Sequence, residues 1–561
     1  MAQGFDSAAA LLTDGRLGVA VAEERFTGVK ATGAFPENAI RHCMRHAQQD
    51  LATVDIVAHG FSYEPWRSSF EHDQLSADRF AEVYARRILV DKLEATLGGS
   101  WGDRLVQVPH HIAHAASAFY PSGFESALIL VADGMGERDS MTVALGSSSG
   151  IESIATVSEV NSLGILYGVF TYYLGFAFGM DEYKVMGLAP YGDRSRYFSQ
   201  IMDLVTLHND GTFTIPILYR NASDLDRETY AGTLDELARL FGPLREPDDE
   251  ITDRHRDLAA GLQTVLEATL MHVLRHFRQV TEQRHLCMAG GVALNCTANG
   301  MILRSRLFRS IYVQPAAGDD GTALGAALHV AHEREGTTSF TDVDTPLCGP
   351  AFSDQEIADV VESQSGVAWT RFDDFTNLAA ALAKHLGDGR VAGLFQGALE
   401  FGPRALGNRS ILGDPRDPTM RDQINARVKK REAFRPFAPA VLEEAATKYF
   451  DIKPSDVGTF SWMLFTTQVR PQFHEALPAV THVDGTARVQ TVSRSTNQRF
   501  WTIIDAFSGI TGIPMVLNTS FNVKGQPIVR TPREAMDTFL AAGLDVLVIG
   551  NYLVEQAESG A

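Results

Sequence analysis

The chain has 561 residues, of which 45% are hydrophobic and 21% charged, and its formal net charge is −20. One hydrophobic core rarely serves a chain of this length, so we expect two or more domains. The acidic balance disfavours a large non-specific nucleic-acid surface, which requires clustered Lys and Arg. We therefore expect no nucleic-acid partner.

The cysteines and the apolar segments limit the class of protein further. The four cysteines are widely scattered and form no Cys-x-x-Cys pair, which argues against a disulfide framework and a zinc ribbon. The N-terminus lacks a basic stretch followed by an apolar core, and no apolar run reaches about 18 residues. We expect a cytoplasmic protein without a membrane segment.

The first elements predict an α/β domain that opens with a β-hairpin. Apolar residues 7–13 and 16–22 flank Asp14-Gly15, a dipeptide typical of tight hairpin turns. The following elements are predicted helices over residues 38–49 and 78–97 and a predicted buried strand over residues 54–60.

Residues 110–120 predict a helix that carries two histidines on one face. The stretch is rich in alanine, has no glycine or proline before its end, and follows a predicted strand over residues 104–108. His110 and His114 lie four residues apart, so both imidazoles could bind one metal ion with further ligands from elsewhere. The spacing also arises by chance, and these histidines could equally cap or hydrogen-bond the helix start.

A second run of elements repeats the order strand, tight turn, strand and then helices. Residues 126–132 predict an apolar strand that ends at Asp133-Gly134, and strands over residues 141–146 and 151–157 follow. Two such halves predict a duplicated ribonuclease-H-like architecture of the actin and sugar-kinase type. In that architecture an acidic residue at a turn meets nucleotide or metal in the cleft.

The segments after this strand run are harder to assign. Residues 161–178 predict an aromatic helix, either a core helix or one wall of an apolar pocket. Residues 181–190, which include Lys184, pass from polar residues to glycine and predict a substrate-facing loop. A polar insertion over residues 209–253 precedes a long amphipathic helix over residues 255–280.

Two glycine-containing turns between strand and helix predict a nucleotide site. The first begins with Gly290-Gly291 and ends at Asn295, and the second contains Gly318-Asp319-Asp320-Gly321. Bare glycine lets phosphates approach the backbone, and helix N-termini favour anions. Connections of this kind need glycine in any case, but two such turns with polar residues favour nucleotide binding.

A linker rich in Thr, Asp, Gly and Pro over residues 336–350 marks a domain boundary. We assign residues 1–345 to a first domain and residues 350–561 to a second α/β domain, which restarts with predicted helices over residues 353–365 and 374–386.

The second domain carries basic residues flanked by apolar residues and proline. Buried cations are costly unless they are paired, and structural pairing with carboxylates could explain Arg409 and Arg431. Guanidinium groups match phosphoryl oxygens, and lysine adds a mobile charge. We predict a phosphate pocket formed by Arg404, Lys429, Arg435 and Arg488. Ser520 and Asn522 could orient a small amide or hydroxyl.

Six motifs in one order span nearly the whole chain and resemble those of the nodulation-type O-carbamoyltransferases, including antibiotic-tailoring members. They are HHIAHA at 110–115, EYKVMGLAP at 182–190, GGVALN at 290–295, FGPRALGNRS at 401–410, FRPFAP at 434–439 and NTSFN at 518–522. The resemblance implies an actin-like transferase domain fused to a YrdC-like domain, both also known from the tRNA threonylcarbamoyladenosine pathway.

This resemblance implies a two-step reaction. The second domain would join carbamoyl phosphate and ATP, the latter with Mg²⁺, into carbamoyl-adenylate and release pyrophosphate. The first would pass the carbamoyl group to a hydroxyl of a small natural product of polyketide, ansamycin or aminoglycoside type. Arg404, Lys429 and Arg435 would be catalytic, since they offset the charge of both anions. The remaining binding residues would be Lys184, Gly290, Gly291, Asn295, Gly318, Arg488, Asn518, Ser520 and Asn522.

The same resemblance supplies fellow ligands for the two histidines. The metal site would comprise His110, His114, Asp133 and Asp319. Two imidazoles and two carboxylates suit Fe²⁺, Zn²⁺ or Mn²⁺, and the family favours iron. His111 would point elsewhere, and helix capping explains Asp320 well.

The start of the chain departs from the family pattern. Relatives usually have a full first strand and then a His-Asp pair, whereas here only residues 1–4 precede Phe5-Asp6. The family histidine suits a general base for the acceptor hydroxyl, and phenylalanine cannot act as a base. Three explanations stay open: a truncated start, a base at Asp6 or at a metal-bound group, or a hydroxyl that needs no strong base. Asp6 is our candidate base.

Two alternative functions compete with this one. The first is a threonylcarbamoyl-type transferase that acts on RNA or protein, and the acidic charge argues against tRNA as its acceptor. The missing Cys-x-x-Cys pairs argue against the carbamoyltransferases of hydrogenase maturation, which carry zinc fingers. A non-catalytic actin-like nucleotide regulator would leave the basic residues of the second domain unexplained. A small-molecule acceptor is the expected partner, with a homodimer as a further expectation.

Overall fold

The structure is a computed structural model that describes residues 1–47, 53–71, 74–221, 226 and 229–557. The chain divides into two compact units: Met1–Glu23 with Ala31–Asp344, and Glu24–Lys30 with Thr345–Ala561. Each unit combines sheets and helices, which confirms the predicted α/β class. The functions assigned to the two predicted domains stay predictions.

The strands lie in both units. They are β1 (Ala8–Thr13), β2 (Arg16–Ala22), β3 (Val57–His59), β4 (Leu105–Gln107), β5 (Ala127–Ala132), β6 (Asp139–Ser147), β7 (Gly150–Ser158), β8 (Thr206–Leu207), β9 (Phe213–Thr214), β10 (His285–Ala289), β11 (Ser310–Val313), β12 (Val367–Arg371), β13 (Ala392–Phe395), β14 (Arg409–Gly413), β15 (Ala438–Leu442), β16 (Thr466–Gln468), β17 (Thr486–Arg488), β18 (Gln490–Val492), β19 (Met515–Ser520), β20 (Val546–Ile549) and β21 (Tyr552–Gln556).

The α-helices alternate with these strands. They are α1 (Glu24–Thr27), α2 (Glu37–Ala47), α3 (Gln74–Arg79), α4 (Arg86–Leu97), α5 (His110–Phe119), α6 (Leu163–Tyr173), α7 (Glu182–Leu188), α8 (Phe198–Met202), α9 (Ala231–Phe241), α10 (Asp253–Thr281), α11 (Cys296–Ser305), α12 (Thr322–Glu335), α13 (Asp354–Glu362), α14 (Phe375–Gly387), α15 (Met420–Ile424), α16 (Ala446–Tyr449), α17 (Gln498–Thr511) and α18 (Pro532–Ala542). None of the described helices is both long and apolar enough to cross a bilayer.

The first unit is built on a five-stranded sheet in the order β11-β10-β5-β6-β7. The successive strands β5, β6 and β7 pair antiparallel, and β10 then joins β5 in parallel, with β11 parallel to β10. This is the order of a ribonuclease-H-like half. β5 is buried along its whole length, so it reads as an uninterrupted apolar run.

The other half of this unit contains the predicted hairpin. β1 and β2 pair antiparallel around Asp14 and Gly15, whose φ angles of 49° and 73° are those of a tight hairpin turn. β3 pairs in parallel with β4, and the N–H of Val108 donates to His59 O at 2.8 Å. These two strands therefore end together, immediately before the helix α5.

Two predictions of secondary structure differ from the structure. The predicted helix over residues 78–97 is interrupted at Ala85, whose extended backbone (φ −61°, ψ 132°) separates a π-helical turn, Phe80–Tyr84, from α4. The predicted loop over residues 181–190 is wrong, because it contains the helix α7, whose Val185 and Leu188 are buried. Residues 48–49 of the predicted helix 38–49 lie outside the described residues.

The second unit is built on an eight-stranded mixed sheet in the order β12-β21-β20-β13-β14-β19-β15-β18. Its main apolar core lies between this sheet and the helices α14 and α17, where Leu378, Leu382, Phe500, Ile504 and Phe507 are fully buried. Side chains of this size each contribute about 1.5–3 kcal/mol when removed from water. The core therefore provides a rigid base for the loops at the sheet's edges.

A short segment from near the N-terminus, Glu24–Lys30, belongs to this second unit. Arg25 is buried and donates to Gly402 O at 3.0 Å, while Arg530 donates to Arg25 O at 3.1 Å. The guanidinium of Arg530 also lies 4.7 Å from the ring centre of Phe26. The second unit is thus discontinuous in sequence, which the predicted boundary near residue 345 did not anticipate.

Candidate functional site

The helix α5 places His110 and His114 on one buried face of the first unit. Both side chains are fully buried. α5 approaches the helix α12 closely, because a Cβ on Gly325 would lie only 1.8 Å from Ala113 O. Glycine at this position therefore lets the turn before α12, which carries Asp319, reach the two histidines.

The four predicted metal ligands come together at this point. One ligand atom each from His110, His114, Asp133 and Asp319 lies within 4.8 Å of all the others. The two Nε2 atoms are 3.1 Å apart, and Asp133 Oδ2 lies 3.2 Å from that of His110 and 3.5 Å from that of His114. Asp319 Oδ1 is 3.5 and 3.7 Å from the same atoms. This donor set fits a divalent transition metal, whose binding stays a prediction.

The electrostatics of the cluster match this donor set. Burial alone would lower the pKa of His110, but the charge of Asp319 and hydrogen bonds to both carboxylates outweigh it and hold that pKa well above its ordinary value. Burial would raise the pKa of Asp133, and the hydrogen bonds from His110 and His114 hold it well below the usual range instead. The two carboxylates therefore make this buried site favourable for positive charge, as binding of a divalent cation requires.

His111 points away from the cluster, as the resemblance implied. Its Nδ1 lies 2.7 Å from Thr142 Oγ1, on strand β6. Burial, followed by the charge of His110, lowers the pKa of His111 to about 3. The imidazole of His111 is therefore neutral at physiological pH and serves as a hydrogen-bonding side chain of the core.

A residue missed at the sequence level, Glu137, binds the start of α5. Its carboxylate accepts hydrogen bonds from the backbone N–H of Ser62 and of His110, at 2.6 and 3.0 Å. Glu137 lies four residues after Asp133 in the glycine-rich turn that follows β5. That turn was the only signal in the sequence, and it does not reveal what the carboxylate binds.

The candidate base Asp6 lies beside the second glycine turn. A Cβ on Gly318 would be 3.5 Å from Asp6 Oδ2, and one on Gly4 would be 3.6 Å from Asp319 Oδ2. The segment that contains Phe5 and Asp6 therefore runs next to a candidate metal ligand. The role of Asp6 as a base stays a prediction.

The two glycine turns have structural roles that the sequence did not show. Gly290 has a φ of 87°, and a Cβ there would lie 2.3 Å from Ala132 O, so glycine permits the close approach of β5. The N–H of Gly291 donates to Asp133 Oδ1 at 2.9 Å and orients that carboxylate. Asn295 caps α11 through Ala298 N at 3.0 Å. Nucleotide binding by these turns stays a prediction.

Lys184 lies on α7 rather than on a loop. Its Nζ pairs with Asp181 at 2.9 Å and lies 5.5 Å from the ring centre of Phe176. These contacts hold the side chain against its own helix start. The predicted role of Lys184 in binding stays a prediction.

In the second unit, the structure places Lys429 directly against Ser520 and Asn522. Lys429 ends a π-helical turn, Asn425–Lys429. Its Nζ lies within hydrogen-bond distance of four oxygens: Ser520 O at 2.6 Å, Ser520 Oγ at 3.1 Å, Asn522 O at 3.0 Å and Asn522 Oδ1 at 2.8 Å. Burial, followed by the charges of Arg431, Arg435 and Lys30, lowers the pKa of Lys429 well below its usual value. A bound anion would offset these charges and restore it.

Of the other predicted phosphate-binding residues, Arg435 lies close enough to Lys429 for its charge to act on that side chain. Arg435 pairs with Glu432 at 3.6 Å, and both Arg404 and Arg488 are half-buried. Asn518 donates to Ala405 O at 3.2 Å, which ties the neighbour of Arg404 to strand β19. Lys429, Ser520 and Asn522 are thus in direct contact, and Arg435 acts on Lys429 through its charge.

A second residue missed at the sequence level, Glu400, organises the loop that carries Arg404. Its Oε1 accepts hydrogen bonds from the backbone N–H of Leu406, Asn408 and Arg409, at 2.8, 2.9 and 3.1 Å. Glu400 is buried beneath that loop. One carboxylate oxygen therefore shapes the turn on which a predicted phosphate ligand sits.

Arg409 has a structural role, but its partners are backbone carbonyl oxygens and not the carboxylates suggested by the sequence. It is fully buried, and its guanidinium donates to the carbonyl oxygens of Gln396, Asn408 and Pro350 at 2.5, 3.0 and 3.3 Å. It also lies 3.6 Å from the ring centre of Phe395. Burial lowers the pKa of Arg409 to about 10.

Comparison with family models matches both units to one kind of enzyme. Residues 72–328 match the model described as carbamoyltransferase N-terminus, and residues 383–556 match carbamoyltransferase C-terminus. The fold and these matches define a transferase that carries a buried cluster of metal-ligand type. The chain belongs to the carbamoyltransferase family, and it is an enzyme of that kind.

The chain is similar to nodulation proteins over most of its length. It is 42% identical to nodulation protein NolNO of Sinorhizobium fredii over 98% of this chain and 79% of that protein. It is 43% identical to nodulation protein NolO of Bradyrhizobium diazoefficiens over 80% of this chain and 78% of that protein. A crystal structure of HypF bound to phosphate and nucleotide matches 55% of this chain and 51% of its own, with 14% identity and a TM-score of 0.30, too low to support an argument.

Proposed function

We propose that this carbamoyltransferase is ATP-dependent and works in two half-reactions, one in each unit. The second unit makes carbamoyl-adenylate from carbamoyl phosphate and Mg²⁺-ATP, and the first transfers the carbamoyl group to the hydroxyl of a small natural product. The observation that carries this proposal is the division of chemistry: the cluster at His110 lies in one unit and the buried Lys429 in the other.

The first half-reaction requires positive charge, because it joins two anions. Water would cleave carbamoyl phosphate into carbamate and phosphate, and a carbamate oxygen would then attack the α-phosphorus of ATP and displace pyrophosphate. Lys429 and Arg435 would hold the phosphoryl oxygens, with Arg404 and Arg488 closing the pocket around them. The lowered pKa of Lys429, caused first by burial and then by neighbouring cations, supports this role, since an anion would relieve that repulsion.

The second half-reaction requires the carbamoyl carbon to meet a hydroxyl in a site shielded from water. The metal would be held by His110, His114, Asp133 and Asp319, and when bound it would supply the positive charge that compensates the phosphate of the adenylate. The chain itself would position the acceptor, and Asp6, beside the turn of Asp319, would accept the hydroxyl proton.

Exposed apolar side chains that lie close in sequence to Asp6 and Asp133, or beside Phe5, support an acceptor with an apolar ring face. Phe5 is 49% exposed, Met135 57%, Phe178 37% and Met180 38%. Phe5 directly precedes Asp6 in sequence, and its ring would lie 3.0 Å from a Cβ on Gly179, between Phe178 and Met180. Exposed apolar groups gathered beside a polar site commonly contact a ligand. A polyketide or ansamycin fits this surface better than an aminoglycoside.

The proposal is tested by assaying each half-reaction separately. Purified protein loaded with Fe²⁺ is incubated with ATP, Mg²⁺ and carbamoyl phosphate, and pyrophosphate is measured with and without carbamoyl phosphate. Candidate alcohols are then added, and mass spectrometry detects the added carbamoyl group. We expect pyrophosphate that depends on carbamoyl phosphate and a carbamate ester of at least one apolar alcohol. If pyrophosphate does not depend on carbamoyl phosphate, the proposed first step is wrong.

A further inference from the structure

We propose that Glu137 is a positioning residue that sets the orientation and tautomer of His110 at the candidate metal centre. The inference rests on the proposed metal-dependent transfer step. It concerns a residue that would contact neither metal nor substrate and would act entirely through His110.

The carboxylate of Glu137 connects two segments that are remote in sequence. It accepts the N–H of Ser62 at 2.6 Å through Oε1, and the N–H of His110 at 3.0 Å through Oε1 and 3.1 Å through Oε2. Ser62 lies in the loop that follows β3, and His110 is the first residue of α5. Glu137 therefore fixes this loop relative to the helix start.

Glu137 also replaces the missing N-cap of α5. The position before the helix is Pro109, which provides no side-chain hydrogen bond. The first N–H groups of a helix have no partner within the helix, and the helix dipole favours an anion there. Glu137 provides both the acceptor and the negative charge, so the backbone position of His110 is determined by this contact.

The loop that Glu137 holds contains the two groups that contact the His110 ring. His110 Nδ1 lies 3.0 Å from Gly60 O, and the ring of Phe61 stacks on the imidazole with a centroid distance of 3.8 Å and an interplanar angle of 14°. Gly60 and Phe61 are the two residues before Ser62, whose N–H Glu137 binds. The carboxylate thereby places a carbonyl at one ring nitrogen and an aromatic ring on one ring face.

This arrangement determines which nitrogen of His110 carries the proton. A carbonyl oxygen only accepts, so Nδ1 must donate to Gly60 O, and the lone pair of Nε2 is left for a metal. His114 differs, because within the described part of the chain its buried Nδ1 has no hydrogen-bond partner. His110 is therefore the imidazole whose tautomer the fold fixes, and Glu137 maintains that fixation.

The test compares metal binding by the full-length protein and its variants. Apo protein is titrated with Co²⁺, recording the visible ligand-field spectrum and measuring the Kd by competition with a chelator. The variants are Glu137→Ala, Glu137→Gln and the control Glu152→Ala, which removes an exposed carboxylate from β7. Loss of a partner that orients a metal ligand weakens metal binding by about 10- to 100-fold, which we expect for Glu137→Ala together with an altered spectrum.

Glu137→Gln keeps one acceptor oxygen, so we expect it to weaken metal binding less than Glu137→Ala does. The control Glu152→Ala should bind metal as the wild type does. If Glu137→Ala does not fold, Glu137→Gln decides the question alone. A wild-type Kd and spectrum in a folded Glu137 variant would overturn the inference. Failure of wild-type protein to bind Co²⁺, Fe²⁺, Zn²⁺ or Mn²⁺ would instead overturn the proposed metal site, and the inference with it. Pyrophosphate formation by the second unit should remain unchanged in every variant.

Discussion

Replacing Glu400 by alanine should destabilise the second unit and also impair the half-reaction proposed for it. The substitution removes the acceptor of three backbone N–H groups, those of Leu406, Asn408 and Arg409, from a buried loop. Each buried polar group that loses its partner costs about 1–3 kcal/mol, so the three give about 3–9 kcal/mol. Water entering the loop would reduce this cost, so we expect the free energy of unfolding to fall by about 3–5 kcal/mol. That is a large share of the roughly 5–15 kcal/mol that stabilises a domain.

The assay is urea unfolding followed by fluorescence, with pyrophosphate release measured on the same samples. Glu400→Gln keeps one oxygen but loses the charge, so its loss should be smaller, about 1–2 kcal/mol. Glu475→Gln, an exposed change in the same unit, is the control and should match wild type. If the free energy of unfolding of Glu400→Ala lies within about 1 kcal/mol of the wild-type value, the three hydrogen bonds do not stabilise the loop and the reasoning is refuted.

Three further predictions concern His114, Lys429 and His255. His114→Ala should stop carbamoyl transfer but keep pyrophosphate formation, and loss of both would place the cluster in the wrong half-reaction. Lys429→Ala should lower carbamoyl-phosphate-dependent pyrophosphate release by at least about 10²-fold with an unchanged circular dichroism spectrum; full activity would exclude the phosphate pocket. Burial, followed by the charge of Arg254, lowers the pKa of His255 to about 4. The neutral imidazole accepts a hydrogen bond from the N–H of Thr252, and this contact stabilises the start of α10 above pH 6.5. This stabilisation is lost as pH falls from 6.5 towards 4, and the melting temperature of His255→Gln should change less over that range.

The parts of the site that were predictable are those whose geometry is local. Asp14-Gly15 determines a hairpin by its own backbone preferences, and the spacing of His110 and His114 determines a shared helix face whatever surrounds it. Asp133 was identifiable because an apolar strand ends there, although its role as a ligand rested on the family resemblance. The structure adds the distances that make these residues one cluster.

The parts that were not predictable depend on backbone partners far along the chain. Glu137 binds the N–H of Ser62, 75 residues away, and a hydrogen bond to the backbone leaves no trace in the identity of its partner. Glu400 likewise binds backbone N–H groups, which any residue type could provide. Lys184 was expected on a loop because Gly187 follows it, but burial of Val185 stabilises a helix there despite the glycine.

The discontinuity of the second unit has a practical consequence for dissecting this enzyme. A fragment that begins at residue 345 lacks Glu24–Lys30, and with it the guanidinium that donates to Gly402 O and the carbonyl that accepts from Arg530. Gly402 lies in the same loop as Arg404, so such a fragment would lose support for a predicted phosphate ligand. An isolated second unit therefore needs residues 24–30 restored, either as a synthetic peptide added in trans or grafted through a short linker onto the new N-terminus.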